Sequence, residues 1–159
     1  MIQRVQSVLL AIIATLMVAV LFLPLYVKVD EVSKEQLLLT AQQIVRTDSA
    51  GAVLSSQNVI YVGGLALIAA GISVYSLISF RNRKMQLWLG FANTLVIAGF
   101  LGLTFYHSAI TIEQNIGLKS LGTREIGFYL PLVALIFNYA ANRLIRSDEK
   151  LVRSMDRIR

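Results

Sequence analysis

Few side chains in this chain are equipped for catalysis or metal binding. His107 is the only histidine, cysteine is absent, and the carboxylates are sparse. Acid–base chemistry at a membrane surface would need His107 to converge with Glu113 or Glu125, the acids nearest it in sequence among the connecting segments. A metal centre needs several converging ligands, and one histidine cannot supply the HExxH or HxxxH spacing. No GxSxG elbow, phosphate-binding loop or GxGxxG turn occurs; Gly63, Gly64, Gly99 and Gly102 lie in apolar runs where a phosphate would not be solvated. The remaining polar groups of interest are Asn93, Thr94 and Asn138, each deep in an apolar run. An amide facing lipid leaves donors and acceptors unpaired, so both asparagines are expected to face inward, as interhelical hydrogen-bonding groups. The alternative is a small transporter or ligand-binding protein with a polar site near Asn93 and Asn138. Such a site usually carries intramembrane carboxylates or a broken helix, and neither is evident. No catalytic residue, cofactor or metal is expected, and the chain does not read as an enzyme.

What positions these residues is a set of apolar segments. The chain has 159 residues, 56% of them hydrophobic and 15% charged, with a mean hydropathy of +0.66. A soluble domain carries about a quarter charged residues, so this is a membrane protein. Four spans are expected, at about residues 5–27, 59–80, 87–106 and 126–145, each long enough to cross at a rise of about 1.5 Å per residue. The first outlasts a secretion-signal core and ends without a small-x-small site, so it reads as a retained span. Tyr26, Tyr61, Trp88, Tyr106 and Tyr129 fall near span ends, where amphipathic rings prefer the headgroup layer.

Basic residues orient the spans. Arg4, Arg81, Arg83, Lys84, Arg143, Arg146, Lys150, Arg153, Arg157 and Arg159 fall on one side; Lys28, Lys34, Arg46, Lys119 and Arg124 fall on the other. The richer side is cytoplasmic by the positive-inside rule, placing both termini in the cytoplasm. This bias accounts for the net charge of +6 without nucleic acid as a partner.

Residues 28–58 form an outer cap. Ser33 to Gln36 has capping-box spacing for a helix through Val45. The alternation of Leu37, Leu39, Ala41 and Val45, and the turn residues Thr47 to Gly51 leading into Ala52 to Leu54, favour a small strand-containing cap instead. Ile110 to Ile112 could add an edge strand. Small residues four apart (Ala66/Ala70, Ala69/Ser73, Ala98/Gly102 and Ala11/Thr15/Ala19) mark faces for close helix contact, within the bundle or with a partner.

Residues 146–159 read as a basic amphipathic cytoplasmic helix. Leu151, Val152, Met155 and Ile158 form its apolar stripe, and Asp148 and Glu149 sit in its first turn. With the inner turn, the tail offers a contact surface of Arg81, Arg83, Lys84, Arg146, Lys150, Arg153 and Arg157 for acidic protein or anionic lipid headgroups.

Three cytoplasmic stretches carry a family resemblance: Met1 to Ser7, the Asn-Arg-Lys-Met-Gln run from Asn82 to Gln86, and above all the sequence from Ala141 to Arg159. Through them the chain resembles the uncharacterised four-span membrane proteins of Bacteroidetes grouped as domain of unknown function 4293. The resemblance implies a bacterial inner-membrane protein with both ends cytoplasmic, and it brings no catalytic residues with it. The expected fold is thus an all-α membrane protein, a four-helix transmembrane bundle with a small outer cap. Its expected role is an accessory or scaffold subunit contacting the bilayer and other membrane proteins or its own copies.

Overall fold

The computed structural model describes residues 2–30, 34–80, 82–112 and 122–156. Helix α1, Ile2–Ala19, ends in a single 3-10 turn, Val20–Phe22. Pro24 explains the stop: it lacks an N–H, and its ring drives the preceding residue out of the helical region. Leu23 is accordingly extended, at φ −107° and ψ 145°. The first span is therefore shorter than the expected 5–27, because Tyr26–Val29 already forms strand β1.

Strands β2 (Gln36–Leu39), β3 (Gln43–Thr47) and β4 (Val53–Asn58) continue from β1 as an antiparallel meander. The strand reading of the cap holds, although the sheet extends beyond 28–58: Thr123–Arg124, strand β5, pairs with Tyr26 and Val27 on the free edge of β1. The order is β4-β3-β2-β1-β5. Ile110 to Ile112 do not supply that edge strand. They belong to a widened helical turn, His107–Ile112, that continues helix α3. Ser33 lies outside the described residues, and Gln36 enters a strand rather than a helix. Between β2 and β3 the Thr40 hydroxyl donates to the Gln43 carbonyl and accepts from the Gln43 amide, so the chain reverses at Ala41 and Gln42. That reversal shifts the buried face from Leu37, Leu39 and Ala41 to Ile44 rather than the expected Val45. Gly51 closes the β3–β4 turn at φ +83°, a conformation costly for other residues.

Helices α2 (Ile60–Ile78), α3 (Arg83–Tyr106) and α4 (Ile126–Asp156) complete the chain. Each helix packs against its sequence neighbours, and α4 closes the ring against α1. Helices α1 and α3 thus occupy opposite corners, and the sheet lies at one end of the bundle. The start of α1, the α2–α3 turn and the end of α4 lie at the other. All four helices are long and apolar enough to cross a membrane. Asn82 caps α3, its side-chain oxygen accepting from the Met85 amide at 3.2 Å.

The distribution of side-chain sizes indicates the solvent. Ala66, Ala69, Ala70, Ser73, Ala134, Asn138 and Ala141 are buried, while Leu67, Ile68, Val74, Phe91, Leu95, Ile136 and Tyr139 are exposed. In water such a surface would be a large uncovered apolar patch. In hydrocarbon, burying a leucine gains little and backbone approach gains more, so on α2 and α4 small and hydrogen-bonding residues take much of the interior, where they meet Leu10, Ile13 and Met17 of α1 and Ile97 and Phe100 of α3. The expected C-terminal amphipathic helix is not a separate element, since α4 runs unbroken to Asp156.

Candidate functional site

Asn93 and Asn138 are both buried, and they do not bond each other. The Asn93 amide nitrogen donates to the Ser73 hydroxyl at 2.9 Å, which donates in turn to the Ala69 carbonyl. This links α3 to α2. The Asn138 amide nitrogen donates across to α3, to the Gly90 carbonyl at 2.8 Å and the Thr94 hydroxyl at 2.9 Å. Both amide oxygens are buried without a hydrogen-bond partner. Gly90 is also where Asn142 lies directly against α3, in space a β-carbon would occupy. Nearer the termini, Gln86 donates to the Ser76 carbonyl at 2.9 Å, tying the start of α3 to the end of α2. Gln86, Asn93 and Asn138 therefore serve as cross-braces between neighbouring helices.

At the end carrying the termini, Asp148 is buried and accepts from the Gln6 side-chain amide at 2.9 Å, with Arg83 4.0 Å away. This corrects the expectation for Asp148 and Glu149. They lie well inside α4, not in the first turn of a tail helix, and Asp148 joins α1, α3 and α4. Arg83 is correspondingly drawn toward the bundle, away from the basic surface expected of it.

Lys84 and Arg146 do come together. They rim a hollow of about 430 Å³ between α3 and α4, walled by Leu87, Trp88 and Phe91. A second hollow of about 720 Å³ shares Phe91 and Arg146 with the first and extends along the same face past Arg143, Asn142 and Tyr139 to Thr94. Neither is lined by Asn93 or Asn138. Arg81 and Arg157 lie outside the described residues, and of Lys150 and Arg153 only the helical backbone is described. The apolar stripe of Leu151, Val152, Met155 and Ile158 likewise has no described side chains.

His107 is buried at the sheet end, hydrogen-bonded to the Tyr61 hydroxyl, with the Tyr106 ring edge-on to its imidazole at a centroid distance of 5.6 Å. Glu113 lies outside the described residues, and the Glu125 backbone amide is engaged with the Leu25 carbonyl. Among the described residues no three His, Cys, Asp or Glu side chains converge.

Sequence reasoning missed Gln6, Arg143, Asn142 and the buried role of Asp148. Periodicity offered one signal: Tyr139, Asn142, Arg143 and Arg146 recur at helical spacing, on the face of α4 that lines the larger hollow. For Asp148 no local signal existed, because its partners are distant in sequence.

The small-residue stripes divide. Ala66, Ala69, Ala70 and Ser73 are spent inside the bundle. Ala98 and Gly102 on α3, and Ala11 and Thr15 on α1, face outward.

No curated protein matches the chain. A family model described as a domain of unknown function, DUF4293, matches residues 2–158, and the chain belongs to that family.

Proposed function

We propose that this protein is a non-enzymatic subunit of the bacterial inner membrane, with both termini in the cytoplasm, that associates laterally with other membrane proteins or its own copies. The observation that carries this reading is the pair of small-residue stripes on outward faces of α1 and α3, at opposite corners of the bundle. Close approach of a further helix is what such stripes favour in lipid, and two at different corners suit a component held between neighbours. The open edge of β4, with Val53 and Leu54 exposed, offers a second kind of contact at the sheet end. The transport alternative is less well supported. The amide nitrogens of Asn93 and Asn138 are engaged by neighbouring helices, and neither residue lines the two hollows between α3 and α4, the larger of which reaches only Thr94.

Because the chain has no cysteine, single cysteines can be introduced one at a time. In native membranes, Thr15→Cys and Gly102→Cys should cross-link to an adjacent polypeptide in several-fold higher yield than Ile136→Cys, which is exposed among the large side chains Leu132, Val133 and Tyr139. Adding Ala98→Leu should abolish the Gly102→Cys product while leaving the amount of protein unchanged. Equal yields at all three positions would refute the lateral-association reading.

A further inference from the structure

We propose that the face between α3 and α4 at the termini end is a binding site for one anionic phospholipid. The phosphate would be held by Lys84, Arg143 and Arg146, and an acyl chain would lie along Trp88, Phe91 and Tyr139. This rests on the membrane placement of the helices and not on the lateral-association role.

Charge and shape both select this occupant. Lys84, Arg143 and Arg146 line the two adjoining hollows. Neither of the ion pairs between described side chains, Arg46 with Glu35 and Arg83 with Asp148, involves any of them. Asp148 is two residues past Arg146 on α4 and is directed into the bundle toward Gln6. A phosphodiester would therefore meet three cations that no ion pair between described side chains engages, two of them guanidinium groups whose planar forks match phosphate oxygens. The position is that of a headgroup, since Lys84 is the second residue of α3 and the apolar run of α4 ends at Ile145.

Beside this rim Leu87, Trp88, Phe91 and Leu135 supply an apolar wall, while Thr94, Tyr139 and Asn142 keep part of the larger hollow polar. Trp88 is 72% exposed, Tyr139 70% and Phe91 55%, so large rings stand open to lipid beside the cations. From Lys84 to Thr94 the hollows follow α3 for ten residues, about 15 Å at 1.5 Å per residue. That is about half of a 30 Å hydrocarbon core, the depth of one leaflet. A free phosphate or an acidic peptide would use the rim and leave the lower half empty; a phospholipid fills both. Basic pockets between helices on the cytoplasmic side are a recurrent mode of anionic-lipid recognition.

Trp88 is the single tryptophan and lines the site, so it reports occupancy directly. The purified full chain, reconstituted in phosphatidylcholine vesicles, would be titrated with brominated phosphatidylglycerol or brominated phosphatidylcholine at matched mole fractions, reading quenching of Trp88. A phosphatidylglycerol preference of about tenfold is expected, falling about fivefold, to about twofold, with Arg146→Gln or with Arg143→Gln alone, on the scale of one basic contact, and vanishing when both are substituted. Quenching by brominated phosphatidylcholine should be unchanged in both variants, showing intact insertion, and millimolar inorganic phosphate should not displace the lipid. Equal quenching by the two lipids in the unmodified chain would overturn the proposal. So would a preference that survives both substitutions, or displacement by inorganic phosphate, which would make the rim a simple anion site.

Discussion

Valine at position 127 is expected to lower the unfolding free energy of the bundle by about 3 kcal/mol, the upper part of the range for forced overpacking. Gly127 lies one residue inside the start of α4, where a β-carbon would come within 2.5 Å of the Pro24 carbonyl oxygen and 3.0 Å of its carbon. Those atoms are backbone, and the same carbonyl accepts the Gly127 amide at 3.1 Å. The clash therefore cannot be relieved by a rotamer change. It requires α4 to withdraw from the point where α1 gives way to β1, which would also loosen pairing between β1 and β5. Gly64→Ala is the control: a β-carbon there would meet nothing within 4 Å, and alanine is the better helix former. Unfolding in mixed micelles with increasing denaturing detergent should separate the two, with Gly64→Ala at or slightly above the unsubstituted chain. A neutral Gly127→Val would show that the α4–β1 junction is not the close contact described.

Aspartate at position 138 should have a comparable or larger effect, through charge instead of volume. The Asn138 nitrogen donates to two acceptors on α3, the Gly90 carbonyl and the Thr94 hydroxyl. A carboxylate is nearly isosteric but offers no donor, so it would face the Gly90 carbonyl with like partial charge in a fully buried position. Insertion scales put an aspartate at mid-membrane at about 3 kcal/mol, and loss of the two donated bonds adds to that. Asn138→Leu should cost less, about 1 kcal/mol, since interhelical hydrogen bonds in membranes average below that figure and leucine introduces no charge. Reduced accumulation and a lower unfolding midpoint for Asn138→Asp, with Asn138→Leu intermediate, is the expected order in mild detergent. A tolerated aspartate would indicate water at this depth and would revive the transport alternative.

The four helices are legible in the sequence because hydrocarbon imposes a length and excludes charge, and both constraints are written locally in the chain. Pro24 is legible too, but its full effect is not. The apolar run continues to Val27, and only the loss of a helical N–H together with the pairing partners Leu38 and Thr123 converts its end into β1. Which way each helix faces is much less legible. In water, polarity separates inside from outside; in lipid both are apolar, so only residue size distinguishes Ala66 and Ala69 from the neighbouring Leu67 and Ile68. That is why the stripes Ala69/Ser73 and Ala98/Gly102 look equivalent in sequence, yet one is buried and the other exposed. The candidate site is half legible. Lys84 and Arg146 stand out as interfacial cations, whereas their meeting across α3 and α4, the addition of Arg143 and the diversion of Arg83 to Asp148 depend on antiparallel register, which no local pattern encodes.

Both proposed roles require the two ends of the chain to share one compartment, with the sheet in the other. Single cysteines at Gln3, Ser49 and Ser154 in this cysteine-free chain can be probed with a membrane-impermeant maleimide on intact spheroplasts and again after lysis. Labelling of Ser49→Cys before lysis, and of Gln3→Cys and Ser154→Cys only after it, is the predicted result. If the two terminal positions label on opposite sides, or if Ser49→Cys becomes reactive only on lysis, the orientation is wrong and the proposed anionic-lipid site at Lys84, Arg143 and Arg146 loses its leaflet.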